Sequence, residues 1–233
     1  LPDLTAGRVV VIDTQRRTVD SEIKMVDPTD TTGSPLSGLH NMYTSADGTE
    51  IFCTAIFSQK IARISTSTRQ IDRVYSINGQ PRPAVLTRDL STLYLQLSAL
   101  NGFIAVDLAT GAETARITIP DDGTRPPGWD NWTFAHGLYL TKDESELWAD
   151  SVVAGKVYVY KVPALAQVAV IDVGVMPRWF AATGDETTLY VTNTTPAAAH
   201  GTVSVIDRLA RKVVATLDVG KAPKDVHMVS VPR

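Results

Sequence analysis

Seven residues before Asp47 stands His40, and the same offset gives Arg82 before Asp89, His136 before Asp143 and Arg178 before Asp185. Lys224 follows Pro223 as Arg178 follows Pro177, which makes a fifth member of the series. Basic side chains at one repeated position converge if the copies that carry them are arranged around a common axis. Imidazole and guanidinium groups gathered at a partly enclosed cavity attract carboxylate or phosphate, and Arg can hold either anion through two parallel bonds. The structural alternative is that each side chain bonds main-chain carbonyls of the neighbouring copy and seals the centre. Trp129 and Trp132 lie in an irregular loop just ahead of His136, where they can line or cap the same pocket. Trp179 follows Arg178 and is placed to stack on it.

Imidazoles from different copies offer a second chemistry. His40, His136 and His200 could jointly hold Zn, Cu or Fe through neutral nitrogen ligands. No HxxxH, HExxH or CxxH spacing is present, so such a site would have to be assembled wholly by the fold. His227 is three residues beyond Lys224 and is expected on the other side of its strand. Asp27, Asp30, Asp121 and Asp122 lack a DxDxDG loop and read better as turn caps than as Ca²⁺ ligands. The chain has no GxSxG elbow, P-loop or GxGxxG motif. No catalytic residue is therefore assigned. Asp130 and Asp150 are acid or base candidates only if the fold brings them near His136.

The elements that would position these residues recur. Third strands are expected at 8–13, 61–65, 103–107, 156–161 and 202–207, most of them preceded by Gly (Gly7, Gly102, Gly155, Gly201). Second strands are expected at 50–54, 93–96, 146–149 and 188–193. Each is preceded by a turn with Asp at the same place (Asp47, Asp89, Asp143, Asp185), whose carboxylate can bond main-chain amides two residues on. Four short strands in a period of roughly 40–50 residues are the pattern of a β-propeller blade. Successive strands in a blade alternate in direction. Loops that join blades therefore share a face with loops between second and third strands, and the Asp turns lie opposite. The length variation falls on that loop face, at 26–38 and at 120–134, both rich in Pro and Gly.

Leu189-Tyr190-Val191-Thr192-Asn193, Val203-Ser204-Val205-Ile206-Asp207 and the run from Lys212 to Gly220 leading to Pro223 resemble the YVTN-type β-propeller repeat family. The copy from His40 departs most, with Ile51-Phe52-Cys53-Thr54 at the place of the motif. The resemblance implies an all-β propeller of four-stranded blades and a periplasmic or secreted location. It says little about chemistry, because the family is functionally mixed.

Apolar residues make up 44% and charged residues 20% of the 233, with a net charge of −3. That balance, without a Lys/Arg run, argues against a nucleic-acid surface. No apolar segment is long enough to span a membrane as a helix. The single Cys53 excludes an intrachain disulfide and reads as a small buried hydrophobe. The start, 1–7, matches a loop between second and third strands, and 222–231 matches a first strand. One propeller domain over 1–233 is expected, with four full copies and a partial blade, incomplete at its N-terminus. A seven-bladed parent is expected, with a five-bladed ring as the alternative.

Two function classes follow. One is a propeller that binds a small anion or a protein partner at His40, Arg82, His136, Arg178, Lys224, Trp129 and Trp132. The other is an enzyme using the same face, either a lactonase-like metal-dependent hydrolase or lyase or, by family analogy, an oxidoreductase with a haem-like or quinone cofactor.

Overall fold

Each tight Asp turn is wired in the same way. In the computed structural model, which describes residues 1–196 and 198–229, Asp185 Oδ1 accepts from Thr183 Oγ1 at 2.6 Å, Thr187 N at 3.1 Å and Thr187 Oγ1 at 3.0 Å. Asp143 does the same with Thr141 and Ser145, and Asp47 with Ser45 and Thr49. The next residue has a left-handed backbone in all four turns: Gly48, Leu90, Glu144 and Glu186. Only one of the four is Gly, so the carboxylate's bonds, together with strand pairing, hold a conformation that side chains disfavour. These turns close hairpins and fix strand register.

The strands assemble into one three-stranded and four four-stranded antiparallel sheets. The first holds β1 (Pro2–Asp3), β2 (Arg8–Asp13) and β3 (Thr18–Lys24). The second holds β4 (Leu39–Thr44), β5 (Glu50–Ala55), β6 (Lys60–Ser65) and β7 (Gln70–Ser76). The third holds β8 (Pro81–Leu86), β9 (Thr92–Leu97), β10 (Gly102–Asp107) and β11 (Glu113–Thr118). The fourth holds β12 (Leu138–Leu140), β13 (Glu146–Ser151), β14 (Lys156–Lys161) and β15 (Ala166–Asp172). The fifth holds β16 (Pro177–Ala182), β17 (Thr188–Asn193), β18 (Gly201–Asp207) and β19 (Lys212–Val219). Strands within each sheet pair in sequence order, as blades require. The third strands match the sequence expectation to within a residue, and the second strands to within two.

The chain divides into two compact units, Leu1–Leu95 with Val106–Thr114 and Gln96–Ala105 with Ala115–Arg233. In the first, Met25, Leu36, Leu39, Cys53, Ala62 and Ile64 share a core. In the second, Trp148, Val157, Val159, Phe180, Leu189, Val191 and Ile206 do so. Trp148 is therefore blade packing, and Cys53 is buried with its thiol pKa pushed up to about 12 by burial. No helix is long and apolar enough to cross a membrane among the described residues.

Two expectations at the chain ends are corrected. Residues 1–7 are not wholly loop, because Pro2 and Asp3 pair with Val9 and Arg8. Residues 222–229 form no strand, and 230–231 lie outside the described residues. The Pro223 and Lys224 carbonyls are instead held by hydroxyls, accepting from Thr194 Oγ1 at 2.6 Å and Thr192 Oγ1 at 2.7 Å.

Candidate functional site

His40, Arg82 and Arg178 are the second residues of β4, β8 and β16, His136 lies just before β12, Lys224 lies outside any strand, and two of the five positions fall in bulges. Pro177 faces Asn193 and Trp179 faces Thr192, so Arg178 is the extra residue between them. In β4 the register likewise shifts between Leu39 and Met42, across His40 and Asn41. A bulge interrupts the ladder and re-aims a side chain, and bulges are over-represented beside active sites.

In the first unit His40 is half-buried, with Nδ1 against Asn41 Oδ1, and Arg82 is buried in β8. In the second unit the loop 120–134 leads to His136. Arg125 pairs with Asp121 at 2.7 and 2.8 Å and lies over the rings of Trp129 and Phe134. Trp129 Nε1 donates to the Thr133 carbonyl at 2.6 Å. Asp130 closes the loop: Oδ1 accepts from Trp132 N at 3.2 Å and Thr133 N at 2.8 Å, and Oδ2 from Thr133 Oγ1 at 2.7 Å. Burial alone would raise its pKa, but these donors and Arg178 outweigh that and lower it. Trp132 is exposed.

Beyond the loop, main-chain bonds run from Asp150 N to Gly137 O at 3.1 Å and from Val152 N to Phe134 O at 2.8 Å. They bring His136, only 1% exposed, against the end of β13. Its main-chain N–H donates to Asp150 Oδ1 at 2.7 Å, and Gln96 Nε2 reaches the same oxygen at 3.3 Å. Asp150 is fully buried, and Oδ2 has no hydrogen-bond partner among the described residues. Burial pushes its pKa up to about 7, against the lowering effects of the His136 N–H, the Gln96 amide, the Gly137 N–H and Arg178. Gly137 permits this crowding: a Cβ there would stand 2.7 Å from Asp150 Oδ2 and 2.8 Å from the Arg178 carbonyl. The Trp179 ring lies 5.9 Å from that of His136 at 45°, so it packs on the imidazole and not on the Arg178 guanidinium as expected.

Arg178 is 9% exposed, yet its guanidinium makes no hydrogen bond among the described residues. The nearest carboxylate oxygen, Asp130 Oδ2, is 3.7 Å from Nη2, beyond hydrogen-bonding distance. Its five N–H donors thus have Asp130 as the nearest counter-charge, and the guanidinium also acts on Asp150.

Lys224 and His227 are exposed. His200 is exposed, its carbonyl accepting from Thr195 Oγ1 at 2.6 Å. No group of three or more His, Cys, Asp or Glu is arranged to hold a metal ion among the described residues.

Gln96 escaped sequence analysis, although a register signal exists. Thr54, Gln96, Asp150 and Thr192 are each the fifth residue of a second strand, and all are buried. Thr54 Oγ1 accepts from Asn41 N at 3.0 Å, Asp150 from His136 N, and Thr192 donates to the Lys224 carbonyl. One buried polar position therefore braces the chain beside a basic residue in three copies.

No family model and no curated protein matches the chain. Solved structures do. Hydrazine synthase of Kuenenia stuttgartiensis superposes with a TM-score of 0.69 at 18% identity, over 83% of this chain and 52% of that one. Dihydro-heme d1 dehydrogenase NirN in complex with DHE gives 0.64 at 12% identity, over 91% and 43%. The fold is that of β-propeller blades. The chain spans about half the length of these neighbours, and at such identities the likeness concerns the fold alone.

Proposed function

We propose that this chain is a YVTN-type, extracytoplasmic β-propeller that binds a small anionic molecule on its loop face, with Arg178 as the principal contact. The observation that carries the reading is the largely buried Arg178, whose guanidinium donors are unused among the described residues. A buried cation is costly unless its charge and donors are met, and a carboxylate or phosphate meets both through a bidentate contact. The bulge at Arg178 and the bracing of His136 by Asp150 hold these side chains in place before a ligand arrives. Such preorganisation reduces the ordering cost of binding. One structural neighbour was solved in complex with DHE, which supports ligand binding by a propeller of this kind. Location rests on the family resemblance alone.

Thermal unfolding in a panel of carboxylate, phosphate and sulfate salts at constant ionic strength tests the proposal. At least one anion should raise Tm in a saturable manner, and Arg178→Gln should abolish the rise. A uniform response to all salts in both proteins would remove the proposal.

A further inference from the structure

We propose that Asp130 tunes the specificity of this site, weakening doubly charged anions more than small, singly charged carboxylates; the inference rests on Arg178 being the anion contact. The Asp130 carboxylate is locked in place by Trp132 N, Thr133 N and Thr133 Oγ1, so both its oxygens have donors within the loop. Its hydrogen bonds are thus met without Arg178, which acts on it at 3.7 Å as a charge alone. What it supplies to Arg178 is a fixed negative charge beside the guanidinium. An incoming anion feels attraction from Arg178 and repulsion from Asp130 together. Both terms scale with the ligand's charge, so Asp130 offsets twice as much of the attraction for a dianion as for a monoanion and cuts the advantage a dianion would otherwise have. A planar carboxylate can still meet the guanidinium fork through two bonds.

A neighbouring cavity suggests what the carboxylate carries. A pocket of about 230 Å³ is lined by Pro127, Val175, Thr195 and Ala198. Its walls belong to the segments that hold the ion pair: Pro127 is three residues before Asp130, and Val175 three before Arg178. The lining is almost wholly apolar, apart from Thr195. A volume this small suits a short aliphatic chain and is below the range of drug-sized ligands.

Isothermal titration of the 233-residue chain with propionate and with sulfate, at fixed ionic strength, tests this. Asp130→Asn, which keeps an acceptor for the loop amides, should tighten propionate about fivefold and sulfate about 25-fold, the square of that factor. An unchanged ratio of the two affinities would overturn the inference. Arg178→Gln separates the two levels of the argument. If it weakens both anions while Asp130→Asn leaves their ratio unchanged, the specificity role fails and the anion site stands. If it changes neither, or if wild type binds neither, both fail.

Discussion

Gln96 Nε2 donates to Asp150 Oδ1 across 3.3 Å, joining the fifth residues of two successive second strands. The acceptor is a fully buried carboxyl whose pKa burial has pushed up to about 7. A carboxyl raised in the folded state stabilises the fold fully below its unfolded value near 4, and that contribution is lost as pH rises through about 7. Urea unfolding at pH 5 and pH 8 should therefore show a loss on the order of 1–4 kcal/mol in wild type that Asp150→Asn removes. The same pH dependence in both proteins would mean that Asp150 ionises freely.

The turn aspartates have the opposite sign. Hydroxyl and amide donors hold Asp47, Asp143 and Asp185 at about 2. Their contribution is present above the unfolded value and is lost as pH falls towards about 2. Asp185→Ala should lower Tm at pH 6, and the difference from wild type should narrow between pH 4 and pH 2.5. A constant difference would assign the effect to turn geometry alone.

Glu146 illustrates a tie between sheets. Its buried carboxylate meets Lys161 at 2.9 Å, Arg211 at 2.6 Å and Arg208 at 3.6 Å. Glu146→Ala leaves three cations around an empty place and should cost about 3 kcal/mol in urea unfolding. Glu146→Gln keeps an acceptor and should cost less. Equal costs would show that packing, not charge, is what the residue supplies.

Gly137→Ala tests the crowding at the site. The Arg178 carbonyl is main chain and cannot step aside for a Cβ at 2.8 Å, so a loss of roughly 1–3 kcal/mol is expected. Tryptophan fluorescence should shift as well, because Trp179 packs on the neighbouring His136. Stability and spectrum equal to wild type would show that the strand end has slack.

What the sequence made legible follows from local rules. The Asp of each turn, the Gly before most third strands and the seven-residue offset to a basic residue are all short-range, and the structure keeps them in register. The Arg178–Asp130 and Gln96–Asp150 contacts span 48 and 54 residues. They depend on how a loop folds back on itself and how neighbouring sheets pack, which no period of two or three residues encodes. Trp179 shows the limit in miniature: adjacency to Arg178 suggested stacking, but successive strand side chains point to opposite faces, and the bulge changes which neighbour it meets. Lys224 shows another. Its place after Pro223 matches Arg178 after Pro177, but without strand pairing its side chain remains exposed.

The central claim is that Arg178 is an anion contact held open by the fold. Isothermal titration of propionate into wild type and Arg178→Gln measures it most directly. Saturable 1:1 binding to wild type and at least a tenfold loss in the variant, about 1.4 kcal/mol or more, are expected. Equal affinity in the two proteins, with both folded, would contradict it and leave Arg178 as a structural residue of the bulge.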